Sequence, residues 1–194
     1  MKPPKRTKSG VDSVTKGNTG EYYALAELSR HGWIAAQTPR NSHVYDILAR
    51  KASRHVDVRV KTKTSDAHGF QWNAKKDGGI FGEIGDFDFC ILVDIPESHD
   101  QFPLFYILPT TILHDWLSAD FRTWVSTPGP IKQQRSADNK RRIMSMDDDD
   151  TRAGHGYLVK LKPYLGNWKI LEVESVSVEA GRVRPILKLL GDAT

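Results

Sequence analysis

Asp46 stands inside an apolar stretch, with Val44 and Tyr45 before it and Ile47 and Leu48 after it. A carboxylate in such a run is costly unless it is paired or binds a metal. Lys61 stands in an alternating segment, where Val56, Val58 and Val60 share one face and Asp57, Arg59, Lys61 and Lys63 share the other. A turn near residue 53 would make positions whose numbers sum to roughly 106 or 107 face each other, which sets Asp46 opposite Val60 or Lys61. A carboxylate and an ammonium on one edge of a ribbon have a specific chemistry. The carboxylate can hold a hard divalent cation, which acidifies a bound water and neutralises charge developing on phosphorus. The lysine can hold that water and a phosphate oxygen. Glu21, at the start of a neighbouring helix, can add a second oxygen ligand or hold a metal-bound water. The structural alternative is an ordinary cross-strand ion pair, with Glu21 serving only as a helix N-terminal acid.

The elements that must position these groups can be read from periodicity. Residues 17–20 open a helix in which Asn18 or Thr19 can cap and Glu21 falls in the first turn. Tyr22, Leu25, Ala26 and Leu28 recur at helical spacing, and His31 with Gly32 supplies the stop. Strands are expected over 33–36, 44–50 and 56–63, with turns at 39–42 and 52–54. Residues 68–85 are glycine-rich and carry Trp72, Lys75 and Lys76, so they read as a loop with a short strand. Strands at 87–95 and 104–108 form a hairpin, and 110–118 is a helix. Residues 120–156 read as a long loop, 157–171 as a helix broken near Pro163 or Gly166, and 173–190 as two short strands around residues 180–182. Strands that are not separated one by one by helices fit a mixed α/β architecture better than a doubly wound parallel one.

Composition narrows the classes. The chain has 194 residues, of which 39% are hydrophobic and 27% charged, enough for one domain with a sizeable core. No apolar run approaches the roughly 20 residues of a membrane span. Residues 1–16 are basic and polar without the apolar segment of a secretory signal, and read as a flexible tail. The lone Cys90 excludes an intramolecular disulfide, and its apolar neighbours mark it as a small buried hydrophobe; a cytoplasmic setting follows. The net charge of +4 and pI near 9.1 are compatible with a polyanion partner. Basic residues concentrate in the first sixteen positions and again at Lys132, Arg135, Lys140, Arg141 and Arg142, ahead of the acidic run 147–150. Seven scattered histidines, with neither an HxxxH spacing nor a cysteine pair, argue against zinc.

Taken in order, the sequence GNTGEYYALAEL at 17–28, the HGW that follows, YDIL at 45–48 and VRVKT at 58–62 resemble the PD-(D/E)XK nuclease superfamily, and are especially similar to its small uncharacterised members and to group I intron homing endonucleases of that class. The resemblance covers about the first third of the chain. It implies a restriction-endonuclease-like α/β core, a central mixed β-sheet flanked by helices. It also implies a Mg²⁺- or Mn²⁺-dependent DNA endonuclease, with Glu21 as the helix acid, Asp46 as the principal metal ligand and Lys61 as the catalytic lysine. The nuclease domain would span 17–172, with 173–194 as a C-terminal extension. Lys63, Lys75, Lys76, Arg141 and Arg142 would meet the DNA backbone. Many such nucleases pair to cut both strands, which makes a homodimer an open alternative. The departure is at Arg59, where the family carries Glu, Asp or Gln. Arginine cannot bind Mg²⁺. Asp57, about 6 to 7 Å away on the same strand face, or Glu21 could supply the second carboxylate. Alternatively, Arg59 takes the cation's place and leaves a domain that binds phosphate without cutting. A protein-interaction factor is the remaining reading, resting on 120–156 and the C-terminal strands.

Overall fold

The computed structural model describes residues 12–39, 44–74, 79–129, 134–146, 156–173, 176–179 and 182–185. Helix α1 (Ser13–Arg30) is followed by β1 (Ile34–Gln37), β2 (Ile47–Lys51), β3 (Arg54–Thr64), β4 (Gly69–Asn73), β5 (Asp88–Ile95) and β6 (Leu104–Pro109). Then come α2 (Thr110–Ser126), β7 (Arg141–Ser145), α3 (Tyr157–Leu161), two 3-10 turns (Lys162–Tyr164 and Trp168–Glu172), β8 (Val176–Glu179) and β9 (Arg182–Pro185). Five strands form the central sheet in the order β1-β2-β3-β5-β6. The β3–β5 pair is parallel and the others are antiparallel, so the sheet is mixed. The expected α/β class, a central mixed sheet flanked by helices, is what the chain forms. Among the described residues no helix is long and apolar enough to cross a membrane.

The alternation in β3 dictates the layers. Val56 and Val58 are fully buried with Ile47 and Ala49 of β2, on the face that Ala24 and Leu28 of α1 cover. Strand β5 is buried on both faces: Phe89 and Ile91 lie beside Val58 and Val60, whereas Cys90 and Leu92 lie beside Arg59 and Lys61. The second face is closed by α2, which packs on β5, β6 and β7, and by the β4–β7 ribbon.

Helix α1 begins seven residues before Gly20, rather than after it. Asp12 is the cap, its carboxylate accepting the N–H groups of Val14 (2.8 Å) and Thr15 (2.9 Å). Residues 13–16 of the expected tail are therefore helical, and Lys16 pairs with Asp66 at 3.0 Å; residues 1–11 lie outside the described residues. Gly17 and Gly20 weaken the helical signal in the sequence, but Gly20 has a packing role. A Cβ there would lie 1.9 Å from Thr62 Oγ1 and 2.9 Å from Thr62 Cβ. Gly20→Ala should consequently destabilise by about 1–3 kcal/mol despite alanine's helix preference, and calorimetric unfolding checks this. A variant as stable as the wild type would mean α1 does not approach β3 this closely.

The interval 120–156 holds more structure than expected. Helix α2 continues to Ser126, and β7 pairs with β4, the short strand of the expected 68–85 loop. The acidic run 147–150 lies outside the described residues. The break in 157–171 falls between the two 3-10 turns, where Gly166 has φ +61°. Strands β8 and β9 pair antiparallel, as the two short strands expected there.

Candidate active site

The site forms where β2 stops and β3 continues. Register runs from Lys51↔Arg54 to Ile47↔Val58, across a two-residue turn in which Ala52 has φ 53°. The pairing sum is thus 51 + 54 = 105, below the 106 or 107 expected, because the turn is centred between 52 and 53. Beyond Val58, β3 runs on to Thr64 beside β5 alone. At this step the Asp46 N–H donates to the Val58 carbonyl (2.9 Å), and the Asp46 carbonyl accepts from the Thr38 N–H (2.9 Å). The Asp46 carboxylate turns to the first amide beyond the ladder, accepting the Val60 N–H at 2.7 Å through Oδ2. Backbone and side chain together tie Asp46 to the end of β1 and the middle of β3.

Lys61 lies on the same face one residue beyond Val60, with Nζ 5.8 Å from the Trp72 ring centroid. Burial lowers its pKa, an effect that Asp46 opposes. Burial likewise raises the Asp46 pKa, opposed by the Val60 N–H, Arg59 and Lys61. No salt bridge joins Asp46 to Lys61 among the described residues; they act on each other through space. The cross-strand ion pair that was the structural alternative is not formed. Glu21 is in the middle of α1, not its first turn, and accepts from Gln37 Nε2 at 2.9 Å. Gln37 ends β1, immediately before the Thr38 that binds the Asp46 carbonyl.

Arg59 forms its ion pair with a partner that the motif does not mark. Its Nε donates to both Asp88 oxygens (3.0 and 3.1 Å), and its Nη2 donates to Asp88 Oδ2 (2.7 Å) and the Glu83 carbonyl (3.0 Å). The guanidinium lies 4.8 Å from the Tyr45 ring centroid and 5.3 Å from that of Phe81. Asp88 is buried and also accepts from Thr110 Oγ1 at 2.6 Å, next to which sits Cys90 Sγ at 3.3 Å. The sequence does contain a signal for Asp88: an acid opening an apolar run, the same anomaly that marks Asp46. Cys90 is buried, as expected, and burial pushes its thiol up to about 12.

Asp57 sits inside the β2–β3–β5 ladders. It lies opposite Leu48 on one side and Asp88 on the other, and burial raises its pKa. Among the described residues, no three His, Cys, Asp or Glu side chains are placed to hold a metal ion together. Of the expected backbone contacts, Lys63 is paired with its register neighbour Asp94 at 2.5 Å and is 9% exposed. Arg142 is buried, lies 3.3 Å from the Phe121 ring centroid and donates to the Asn139 carbonyl at 2.6 Å. Arg141 is exposed. Lys75 and Lys76 lie outside the described residues.

No protein-family model and no curated protein matches the chain. Among solved structures, the bacterial homing endonuclease I-Ssp6803I is similar over 83% of this chain and 92% of its own, at 16% identity and a TM-score of 0.45. The Holliday junction resolvase Hjc of the archaeal hyperthermophile Archaeoglobus fulgidus is similar over 50% of this chain and 75% of its own, at 16% identity and a TM-score of 0.34.

Proposed function

We propose that this chain is a metal-dependent DNA endonuclease with its reacting centre at Asp46 and Lys61. The observation that carries the reading is the Asp46 carboxylate, held on the Val60 N–H beside a half-buried Lys61 with which it makes no ion pair. Mg²⁺ keeps several of its waters and is commonly held by one or two carboxylates together with substrate phosphate oxygens. Asp46, with Glu21 tethered to the same corner by Gln37, is a donor set of that kind. When bound, the cation would neutralise charge on the phosphate and acidify a water. Lys61 would hold a phosphate oxygen or accept the proton of the attacking water. Arg59, committed to Asp88, leaves the Asp46 carboxylate unpaired by a salt bridge. Cutting both strands of a duplex would need two such sites, which a homodimer supplies.

A second reading is supported by Arg59, a fixed cation that cannot bind metal: a module that binds DNA phosphate without cutting. Nicking of supercoiled plasmid in Mg²⁺ or Mn²⁺ separates the two, and its pH dependence identifies the role of Lys61. Because burial lowers the Lys61 pKa, its neutral form is populated at a lower pH than for an ordinary lysine. If the neutral amine is the base, the nicking rate climbs as pH rises through that value and then levels. Lys61→Arg, which stays cationic, should lose the climb along with about 10²–10⁴-fold of rate. Equal nicking and an equal pH profile in the wild type and this variant would remove Lys61 from the reacting centre. Salt-sensitive DNA binding without nicking in either metal would establish the second reading.

A further inference from the structure

The β4–β7 ribbon has two unlike faces. Phe70, Trp72 and Met144 turn inward and are buried, whereas Gln71, Asn73, Arg141 and Ile143 turn outward and are exposed. The register sets Gln71 beside Ile143 and Asn73 beside Arg141, so the four form one compact patch. Neither strand carries an acidic residue, and the exposed Lys140 adjoins Arg141. No side-chain hydrogen bond or ion pair links Gln71, Asn73 or Arg141 to another described residue.

The patch is mounted rigidly and close to the site. Ala74 N–H donates to the Lys140 carbonyl and Met146 N–H to the His68 carbonyl, which extends the ladder at both ends. A Cβ on Gly69 would lie 2.0 Å from the Met144 carbonyl oxygen, so the two backbones are in close contact. Arg142 is clamped over Phe121 on the inner side. Trp72, between Gln71 and Asn73, is the residue whose ring faces Lys61. A two-stranded ribbon fits the major groove, about 12 Å wide. The outward side chains match base edges: arginine pairs with guanine O6 and N7, asparagine and glutamine pair with adenine N6 and N7, and an aliphatic group packs on the thymine methyl.

We propose that the outer face of the β4–β7 ribbon enters the major groove of double-stranded DNA and reads base edges there through Gln71, Asn73, Arg141 and Ile143. The proposal rests on the DNA-directed reading of the neighbouring site. The experiment is selection of bound duplexes by the full chain from a pool with a randomised central segment, followed by titration of the selected duplex against a scrambled one. The wild type should prefer its selected duplex, and the triple variant Gln71→Ala/Asn73→Ala/Arg141→Ala should lose roughly tenfold of that preference per contact removed. Its affinity for the scrambled duplex should fall much less. Replacing guanine by 7-deazaguanine and adenine by 7-deazaadenine in the selected duplex removes the N7 acceptors those three side chains would use and tests the groove without altering the protein. It should weaken the wild type and leave the triple variant indifferent. A wild type that binds duplexes without preference, a triple variant that keeps the preference, or a wild type indifferent to the base analogues overturns the ribbon as the reader while leaving a DNA-directed site intact. A wild type that binds no duplex even at low salt overturns the DNA reading and the ribbon with it.

Discussion

Asp46→Asn should reduce plasmid nicking in Mg²⁺ by about 10²–10³-fold or more while raising the melting temperature. The two effects have one cause. Burial raises the Asp46 pKa, so the folded protein favours the protonated carboxyl more than the unfolded chain does. The stability linked to that proton is present below the unfolded carboxylate pKa and is lost as pH rises through the raised folded value. At neutral pH the protein therefore carries a carboxylate at a cost. Asparagine keeps an oxygen to accept the Val60 N–H but removes the charge, a gain of about 0.5–2 kcal/mol, or several degrees in a chain of this length. Asp46→Ala removes the acceptor as well, strands the Val60 N–H and should destabilise by about 1–3 kcal/mol. Calorimetry at neutral and acidic pH checks the sign, because the advantage of asparagine should shrink as pH falls. An asparagine variant that nicks normally ends the catalytic role of Asp46. One that melts well below the wild type shows that the native carboxylate is stabilised in a way the asparagine amide cannot supply.

The cost of a charge in an apolar run is what made Asp46 legible before any fold was known, and the alternation of Val56, Val58 and Val60 made β3 legible with it. Both are one-dimensional signals: a residue type that disagrees with its neighbours, and a period of two. The register was off by one or two positions because it depends on where a two-residue turn is centred, and Ala52 at φ 53° carries none of the glycine or asparagine that usually marks such a turn. The start of α1 was hidden for the opposite reason. Gly17 and Gly20 lower local helix propensity, and the close approach to Thr62 that uses Gly20 is a tertiary fact. The partner of Arg59 was out of reach because β3 and β5 are parallel neighbours separated by β4 and the segment after it. Nothing in the spacing of residues 59 and 88 says that they are adjacent.

That hidden pair carries the largest expected effect on stability. Asp88→Ala should destabilise by about 3–5 kcal/mol, lowering the melting temperature by about 10 °C, because it leaves the Arg59 guanidinium desolvated and Thr110 Oγ1 without its acceptor. Arg59→Met should cost a comparable amount by stranding Asp88. The double variant Arg59→Met/Asp88→Leu removes both charges at once, and since apolar replacement of a buried pair is often neutral, it should recover most of the loss. A thermodynamic cycle of the four proteins measures this; additive penalties would mean that the two residues are not coupled. The same cycle bears on catalysis. Arg59 is one of the groups that hold the Asp46 pKa down against burial, so it has a use although it cannot bind metal. Without it, Asp46 keeps its proton to higher pH, and the acidic limb of the nicking profile should move upward in both Arg59→Met backgrounds, including the stable double variant. Arg59→Glu should instead bring a second carboxylate against buried Asp88. It should therefore unfold the protein more readily, unless Asp88 is neutralised in the same chain. Arg59 is then one half of a buried charge pair and also opposes the rise of the Asp46 pKa, so replacing it alone disturbs both at once.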